Sequence, residues 1–247
     1  SVGYITLNRP EKFNSFNREM ALQMQAALDE CKNETVRAVY ITGNGKAFSA
    51  GQDISELVGE NRIEIKQILS EHYNPIVTRI RKLDKPVVAA VNGVAAGAGA
   101  NIALCCDIVV AAQSASFIQA FSKIGLIPDS GGTFFLPRLI GWQKASALSM
   151  LGDKVTAADA ERMGMLYKIF PDETFPEESK KIALTLSQMP TEGLALTKQL
   201  LNMSFHSTFE EQLQEEDVFQ QRAAMTYDYN EGISAFLEKR QPVFKGK

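Results

Sequence analysis

The sequence predicts an α/β core followed by a helical C-terminal part. Short, continuous apolar runs alternate with stretches in which apolar residues recur every three or four positions, the pattern of buried parallel strands connected by helices. From about Ala157 onward the helical spacing dominates. No low-complexity linker separates the two parts, so we place the α/β core at residues 1–190 and the helical region at residues 191–247.

The first part of the chain alternates strand and helix. Residues 1–7 predict a short strand, which Asn8-Arg9-Pro10 ends. Residues 38–41 form a continuous apolar run that predicts a strand covered on both faces, and we expect a loop at 47–54 after it. The helix between these two strands is marked by apolar residues at helical spacing: Met20, Met24, Ala27, Leu28 and Cys31.

The alternation continues through the middle of the chain. Residues 65–83 predict a long helix with a kink at Pro75, because proline cannot donate the helical hydrogen bond. The apolar runs at 86–91 and 107–111 predict two more buried strands. Three further helices are predicted from apolar spacing, at residues 175–186, 194–205 and 210–224.

Charge and composition exclude several classes of protein. The 247 residues are 45% hydrophobic and 22% charged, which is ordinary for a globular chain, and the formal net charge of -3 offers no field to attract nucleic acid. The longest weakly apolar stretch, residues 86–112, is interrupted by Asn92, Asn101 and Asp107, which argues against a membrane span. We therefore predict neither a nucleic-acid partner nor a membrane partner.

Cysteine and histidine are too few for most metal and redox sites. Cys31, Cys105 and Cys106 form no Cys-x-x-Cys pair, and His72 and His206 lie far apart in sequence. We predict no metal site and a reduced, cytoplasmic compartment. His72 is expected to be a helix-face residue that packing partly covers.

Two segments rich in small residues are candidates for chemistry. Residues 47–54 and 92–101 each follow a predicted buried strand, and their Gly, Ala and Ser residues leave the backbone approachable. A helix that begins near Gly97 would add the positive end of its dipole. Two backbone N–H groups that converge there would form an oxyanion hole suited to an enolate.

A third segment, residues 125–133, places Asp129 among apolar residues and glycines. Asp129 is a candidate acid/base group, and it is equally well a cap for the helix that follows. Apolar surroundings would raise the pKa of this carboxyl and a helix N-terminus would lower it, so the sequence leaves the direction open.

These three segments, with Leu136-Pro137-Arg138 and the C-terminal residues 242–246, resemble the crotonase (enoyl-CoA hydratase/isomerase) superfamily from about residue 2 onward. Residues 94–101 and 121–133 are especially similar to members of the superfamily that isomerise a ring epoxide. The resemblance implies an α/β, crotonase-like spiral of repeated ββα units with a C-terminal helical trimerisation region. It also implies a homotrimer or a dimer of trimers.

The resemblance further implies an acyl-CoA thioester substrate, with coenzyme A as part of the substrate and no separate cofactor. The backbone N–H groups of Gln52 and Ala98 would form the oxyanion hole, and Asp129 would be the catalytic acid. Phe236 and Lys239 from a neighbouring subunit would meet the adenine end. The substrate-binding residues that the resemblance implies are Lys12, Phe13, Ala50, Asp53, Ile54, Asn101 and Phe121.

Two departures from the hydratase pattern favour isomerisation. Hydratases of this family hold a water between two glutamates, and the matching positions here are Asn101 and Phe121. Without that pair, no two carboxylates are available to orient and deprotonate a water molecule. A single acid that takes a proton from one carbon and returns it to another catalyses an isomerisation. The resemblance thus implies conversion of a ring epoxide, and of 3-enoyl-CoA to 2-enoyl-CoA.

Other functions remain open at this point. The chain could be another enzyme of the family, such as an enoyl-CoA hydratase, a thioesterase or a dehalogenase with Asp129 as nucleophile. It could also be a non-catalytic acyl-CoA-binding protein, because a fold does not fix a function. Asn101 is either a neutral hydrogen-bonding neighbour of the acid or a helix residue satisfied by backbone.

Overall fold

Two sheets form the core of the structure, a computed structural model that describes residues 1–60 and 62–247. The larger sheet has the strand order β1-β2-β4-β6-β9, and every pairing in it is parallel. The smaller sheet has the order β3-β5-β7-β8, with β8 antiparallel to β7. The strands are β1 (Val2–Leu7), β2 (Ala38–Gly43), β3 (Ala47–Ser49), β4 (Val87–Val91), β5 (Val94–Ala96), β6 (Ile108–Ala112), β7 (Ser116–Ile118), β8 (Lys154–Thr156) and β9 (Lys168–Phe170).

Helices connect and cover these sheets. Short 3-10 helices lie at Pro10–Lys12, Ile54–Leu57 and Ala120–Ile124. A π-helical segment, Ile68–Tyr73, joins α2 to α3. The α-helices are α1 (Arg18–Glu30), α2 (Ile65–Gln67), α3 (Asn74–Lys82), α4 (Ala98–Leu104), α5 (Gly132–Ile140), α6 (Trp142–Leu151), α7 (Ala157–Met163), α8 (Phe175–Gln188), α9 (Thr191–Met203), α10 (Phe209–Ala224) and α11 (Tyr227–Glu238).

Each turn of the chain adds one strand to the larger sheet, one strand to the smaller sheet and a helical segment. The pairs β2-β3, β4-β5 and β6-β7 repeat this step, and β2, β4 and β6 lie side by side. Strand β4 is buried along its whole length, as its Val and Ala run predicts. The expected spiral of ββα units is therefore confirmed.

The short elements differ from the expectation. The segments 47–54 and 92–101, expected as loops, contain β3 and β5, whereas α4 begins where a helix was expected, next to Gly97. Three-residue strands of small residues have no detectable alternation, because a period of two needs a longer run. Strands β8 and β9 and helix α6 were likewise not expected, and α11 was expected only as part of the helical region 191–247.

The predicted kink at Pro75 takes the form of the π-helical segment. Pro75 has no N–H to give to the Glu71 carbonyl one turn earlier, and Gln25 Nε2 donates to that oxygen at 2.7 Å instead. The Asn74 N–H donates to the carbonyl of Leu69, five residues back. The wider turn therefore lies directly before the proline.

Helix α9 is fixed to the core by a buried charge. Lys198 Nζ lies 2.8 Å from the Asp107 carboxylate and donates to the Ile80 carbonyl at 2.7 Å. Arg81 also pairs with Asp107, so that carboxylate has two cationic partners. Within residues 1–60 and 62–247 no helix is both long and apolar enough to cross a membrane.

Candidate active site

A cavity of about 540 Å³ lies where the segments after β3 and β5 meet the third segment and the helix of residues 65–82. Its wall is mostly apolar, with a few polar groups that converge on it, as is usual for a small-molecule site. Apolar side chains of the wall include Leu57, Ile68, Leu69, Phe121, Leu126 and Ile127.

The backbone N–H of Gln52 points away from Phe16, the residue that pairs with it. Phe16 forms an isolated parallel bridge with Gln52: the Phe16 N–H donates to Gly51 O at 2.6 Å and the Asp53 N–H donates to Phe16 O at 2.8 Å. In a parallel bridge the residue in the middle directs its own N–H to the opposite side. The Gln52 N–H donates to no acceptor among the described residues.

The N-terminus of α4 supplies the second free N–H. Gly97 adopts φ 53° and ψ -129°, a conformation that suits glycine, and Ala98 is the first residue of the helix. Its N–H therefore has no intrahelical acceptor, and we find no other acceptor for it in the described part of the chain. A Cβ on Gly51 would lie 2.8 Å from Ala96 O and 3.4 Å from Ala98 N, so the absence of a side chain lets the two segments touch.

Asp129 is the one carboxylate among the described residues that line the cavity. Its side chain accepts a hydrogen bond from Ser130 Oγ at 2.9 Å. Burial raises the pKa of Asp129 to about 6, so desolvation outweighs the hydrogen bond that lowers it. The residue that caps α5 is Gly131, so the alternative that Asp129 caps the helix is wrong.

Two left-handed residues separate Asp129 from α5. Ser130 has φ 51° and Gly131 has φ 78°. They turn the chain sharply, and the Gly132 N–H donates to the Asp129 carbonyl at 2.8 Å. The turn places the carboxylate at the cavity wall instead of over the helix axis.

Asn101 holds the peptide of Asp129 in place through a side-chain hydrogen bond. It is fully buried in α4, its Nδ2 donates to Asp129 O at 2.9 Å, and its Oδ1 accepts from Gln119 Nε2 at 2.8 Å. Both interpretations of Asn101 therefore hold. It is a neutral hydrogen-bonding neighbour of Asp129, and its side-chain N–H group is satisfied by a backbone carbonyl. It does not line the cavity.

Phe121 lies in the 3-10 helix Ala120–Ile124 and is buried against the cavity. A Cβ on Gly97 would be 3.8 Å from its Cζ, so the ring lies beside the turn that precedes Ala98. The position that carries a second glutamate in hydratases is therefore an apolar part of the wall.

The remaining predicted binding residues differ in their position relative to the cavity. Ala50 and Ile54 line the cavity, whereas Lys12 and Phe13 are exposed on the turn beside it, where the Ala50 N–H donates to Phe13 O at 2.9 Å.

The Asp53 carboxylate accepts hydrogen bonds from within the chain, from Arg9 Nη2 at 2.9 Å and from the Ser55 N–H at 3.1 Å. Hydrogen bonds from Ser55 and Arg9 lower the pKa of Asp53. Phe236 and Lys239 lie outside this cavity.

Tyr73 is a cavity residue that the sequence did not indicate. Its hydroxyl donates to Gln52 Oε1 at 2.7 Å. Burial, with the charge of Asp129 next in effect, raises the pKa of Tyr73 well above its ordinary value, so the hydroxyl remains a donor. No periodicity signals this contact, because it depends on the π-helical segment that ends at Tyr73.

His72 is more buried than expected. Its ring is fully covered, burial lowers its pKa, and it does not line the cavity. Among the described residues, moreover, no group of three or more His, Cys, Asp or Glu side chains is placed to hold a metal ion.

Comparison with known proteins identifies the family. The family model "Enoyl-CoA hydratase/isomerase" matches residues 1–247. The chain is 45% identical to the 1,2-epoxyphenylacetyl-CoA isomerase of Escherichia coli, across 98% of this chain and 94% of that protein. It is 41% identical to a "Probable enoyl-CoA hydratase" of Rhodobacter capsulatus, across 100% of this chain and 95% of that protein.

The solved structures agree. The crystal structure of an enoyl-CoA hydratase from Bacillus anthracis superimposes with a TM-score of 0.95 at 33% identity, covering 100% of this chain and 96% of that one. The fold, the whole-chain family match and the sequence relatives together establish that this chain belongs to the crotonase, or enoyl-CoA hydratase/isomerase, family.

Proposed function

We propose that this protein is an acyl-CoA isomerase that converts ring-1,2-epoxyphenylacetyl-CoA to oxepin-CoA and shifts the double bond of 3-enoyl-CoA to the 2-position. The observation that carries the proposal is that Asp129 is the one carboxylate in the described wall of a mostly apolar cavity, and that Gln52 and Ala98, whose backbone N–H groups are unused, line the same cavity. The similarity to the Escherichia coli isomerase supports the choice of acyl group.

The chemistry requires three groups. The thioester oxygen accepts hydrogen bonds from the N–H groups of Gln52 and Ala98, which stabilise the enolate that forms when the neighbouring carbon loses its proton. Asp129 takes that proton. With a 3-enoyl-CoA, Asp129 removes a hydrogen from C2 and returns it to C4, so the double bond moves from C3–C4 to C2–C3 and no atom is gained or lost.

A pKa near 6 suits this exchange. The carboxylate is mostly ionised at pH 7 and therefore ready to accept a proton, yet it is a stronger base than an exposed aspartate. For the ring epoxide, the same transfer carries a hydrogen from the side-chain carbon to a ring carbon as the ring expands to an oxepin.

Hydration is disfavoured by the two positions that would hold water. Asn101 is buried and its side chain already bonds Asp129 O and Gln119 Nε2, and Phe121 offers no polar atom. Asp129 alone would have to orient the water, deprotonate it and protonate the product carbon. A nucleophilic role for Asp129 has no histidine partner in the described cavity wall.

A panel of acyl-CoA substrates followed by mass spectrometry tests the proposal. Isomerisation leaves the mass of the thioester unchanged and alters its absorbance, hydration adds one water, and hydrolysis releases free coenzyme A. We expect 3-enoyl-CoA and the ring epoxide to isomerise. Addition of water to a 2-enoyl-CoA at a comparable rate would contradict the proposal, and a protein that only binds would leave every substrate intact.

The path of the hydrogen gives a second test. In heavy water, part of the product should retain the substrate's own hydrogen, because a shielded single base can return it before solvent exchanges it. Complete exchange at every turnover would contradict return of the proton by a shielded single base.

A further inference from the structure

Tyr73 connects the helix of residues 65–82 to the oxyanion hole. It is buried, it is the last residue of the π-helical segment, and its hydroxyl donates to the side chain of Gln52. π-Helical turns often occur where a helix must present a functional group. The residue that receives this hydrogen bond is the one whose backbone N–H faces the cavity.

The hydrogen bonds continue beyond Gln52. Gln52 Nε2 donates to Glu56 Oε2 at 2.9 Å, and Glu56 Oε1 accepts the Arg18 N–H at 2.9 Å at the start of α1. The side chain of Gln52 is therefore held at both its oxygen and its nitrogen. Three separate elements take part in this chain of contacts.

The ring of Tyr73 acts on the same segment. It packs edge-on against Phe16, with ring centroids 6.0 Å apart and an interplanar angle of 77°. Phe16 is also the residue whose backbone brackets Gln52 in the parallel bridge. Ring and hydroxyl together fix the peptide of Gln52 from its side chain and from its backbone partner.

The two oxyanion donors differ in how they are supported. The N–H of Ala98 is directed by α4, whereas the N–H of Gln52 belongs to a segment outside any named strand or helix. An oxyanion hole is effective only if its donors already point at the developing charge, and a misplacement of about 1 Å can cost up to roughly 10²-fold in rate. The Gln52 peptide therefore needs the support that side-chain contacts give.

We propose that Tyr73 is a positioning residue for the oxyanion hole, acting through its hydrogen bond to the side chain of Gln52. This inference rests on the oxyanion hole of the proposed function. Asp129 transfers the proton at the reacting carbon, and Tyr73 sets the direction of the Gln52 N–H.

A matched pair of variants isolates this role. Tyr73→Phe keeps the ring and removes only the hydroxyl. Tyr40→Phe makes the same change at another buried tyrosine, whose hydroxyl lies 2.8 Å from Ser179 Oγ and which does not line the cavity. Both variants lose one hydrogen bond of a buried tyrosine, so a general effect on stability would be common to them.

Kinetics provide the first readout. We expect Tyr73→Phe to lower kcat roughly 3- to 30-fold with KM within about twofold, less than the roughly 10²-fold loss of a whole donor. Tyr40→Phe should keep the parent kcat. In the Gln52→Ala background, the change Tyr73→Phe should add no further loss, because the two side chains act through one hydrogen bond.

The infrared carbonyl stretch of bound phenylacetyl-CoA, labelled with ¹³C at the thioester, provides the second readout. Hydrogen bonds from the oxyanion hole polarise this carbonyl and lower its frequency relative to the free thioester. We expect the shift in the parent, the same shift in Tyr40→Phe and a smaller one in Tyr73→Phe.

The two readouts separate this inference from the proposed function. An unchanged kcat and carbonyl frequency in Tyr73→Phe, or equal losses in Tyr40→Phe, would overturn the positioning role while isomerisation stands. A parent that shifts the carbonyl but isomerises nothing, with a reduced shift in Tyr73→Phe, would support positioning and reject the isomerase. A parent complex with no carbonyl shift would overturn both.

Discussion

The carboxyl of Asp129 illustrates how one residue combines a structural cost with a chemical use. Its surroundings disfavour the ionised form, and this raises its pKa to about 6. The sequence located this acid but could not give the direction of the shift, because burial and the N-terminus of the following helix have opposite effects. The turn at Ser130 and Gly131 places the carboxylate at the cavity wall, and burial there raises the pKa.

The raised pKa predicts a pH-dependent gain in stability for Asp129→Asn. The folded-state pKa lies above the ordinary value of 3.8, so the parent loses stability as pH rises from about 4 through about 6. Asparagine has no such penalty. We expect the variant to gain about 1–3 kcal/mol over the parent at pH 8 and about half of that gain at pH 5. Urea unfolding at both pH values measures this, and a difference independent of pH would contradict it.

Asn101 and Gly132 form a close contact that also predicts a coupling. A Cβ on Gly132 would lie 2.3 Å from Asn101 Nδ2, so Gly132→Ala should destabilise the protein by about 1–3 kcal/mol through overpacking. Asn101→Ala should also destabilise, because it leaves Gln119 Nε2 without a partner and removes one of the two hydrogen bonds to Asp129 O. The double variant should be less destabilised than the sum, since alanine at 101 makes room for the methyl group. Additive losses in urea unfolding would show that the two residues do not interact.

At the scale of elements, long buried strands were predictable and short ones were not. The Val and Ala run of β4 predicts a strand buried on both faces, and β4 lies between β2 and β6. A helix was expected after residues 125–133, and α5 is that helix, although it carries Pro137 inside it. Gln52 and Ala98 could be named from resemblance, whereas the Tyr73–Gln52 contact depends on where the helix of residues 65–82 packs.

The N-terminus of α4 gives a direct test of the oxyanion hole. Ala98→Pro removes the N–H, and proline is well tolerated at the first position of a helix. We expect kcat to fall roughly 10²- to 10³-fold with the circular dichroism spectrum retained. Ala98→Gly, which keeps the N–H, should lose less than roughly tenfold. A proline variant as active as the glycine variant would exclude this donor.

The whole molecule brings the active groups together by its spiral. Segments that follow β3 and β5, together with the segment before α5, meet at one cavity because each turn of the chain repeats the same path. The sequence pattern indicated α/β alternation, and the resemblance supplied the spiral. Pattern alone could not, because β3, β5 and β7 are only three residues long.

We also propose that the protein assembles as a homotrimer or a dimer of trimers. The C-terminal part of the chain exposes several large apolar side chains, which an interface with another copy would cover: Phe209, Leu213, Met225, Phe236 and Leu237. We expect analytical ultracentrifugation at micromolar concentration to give a trimer or a hexamer. A monomer under those conditions would contradict the assembly.

Turnover of 3-enoyl-CoA by Asp129→Asn tests the central claim most directly. Asparagine keeps the shape of the side chain and cannot accept the proton, so we predict a kcat roughly 10²- to 10⁴-fold below the parent while the CoA ester still binds. Near-parental turnover by the folded variant, on a substrate that the parent isomerises, would contradict the account, because no other carboxylate lines the described cavity.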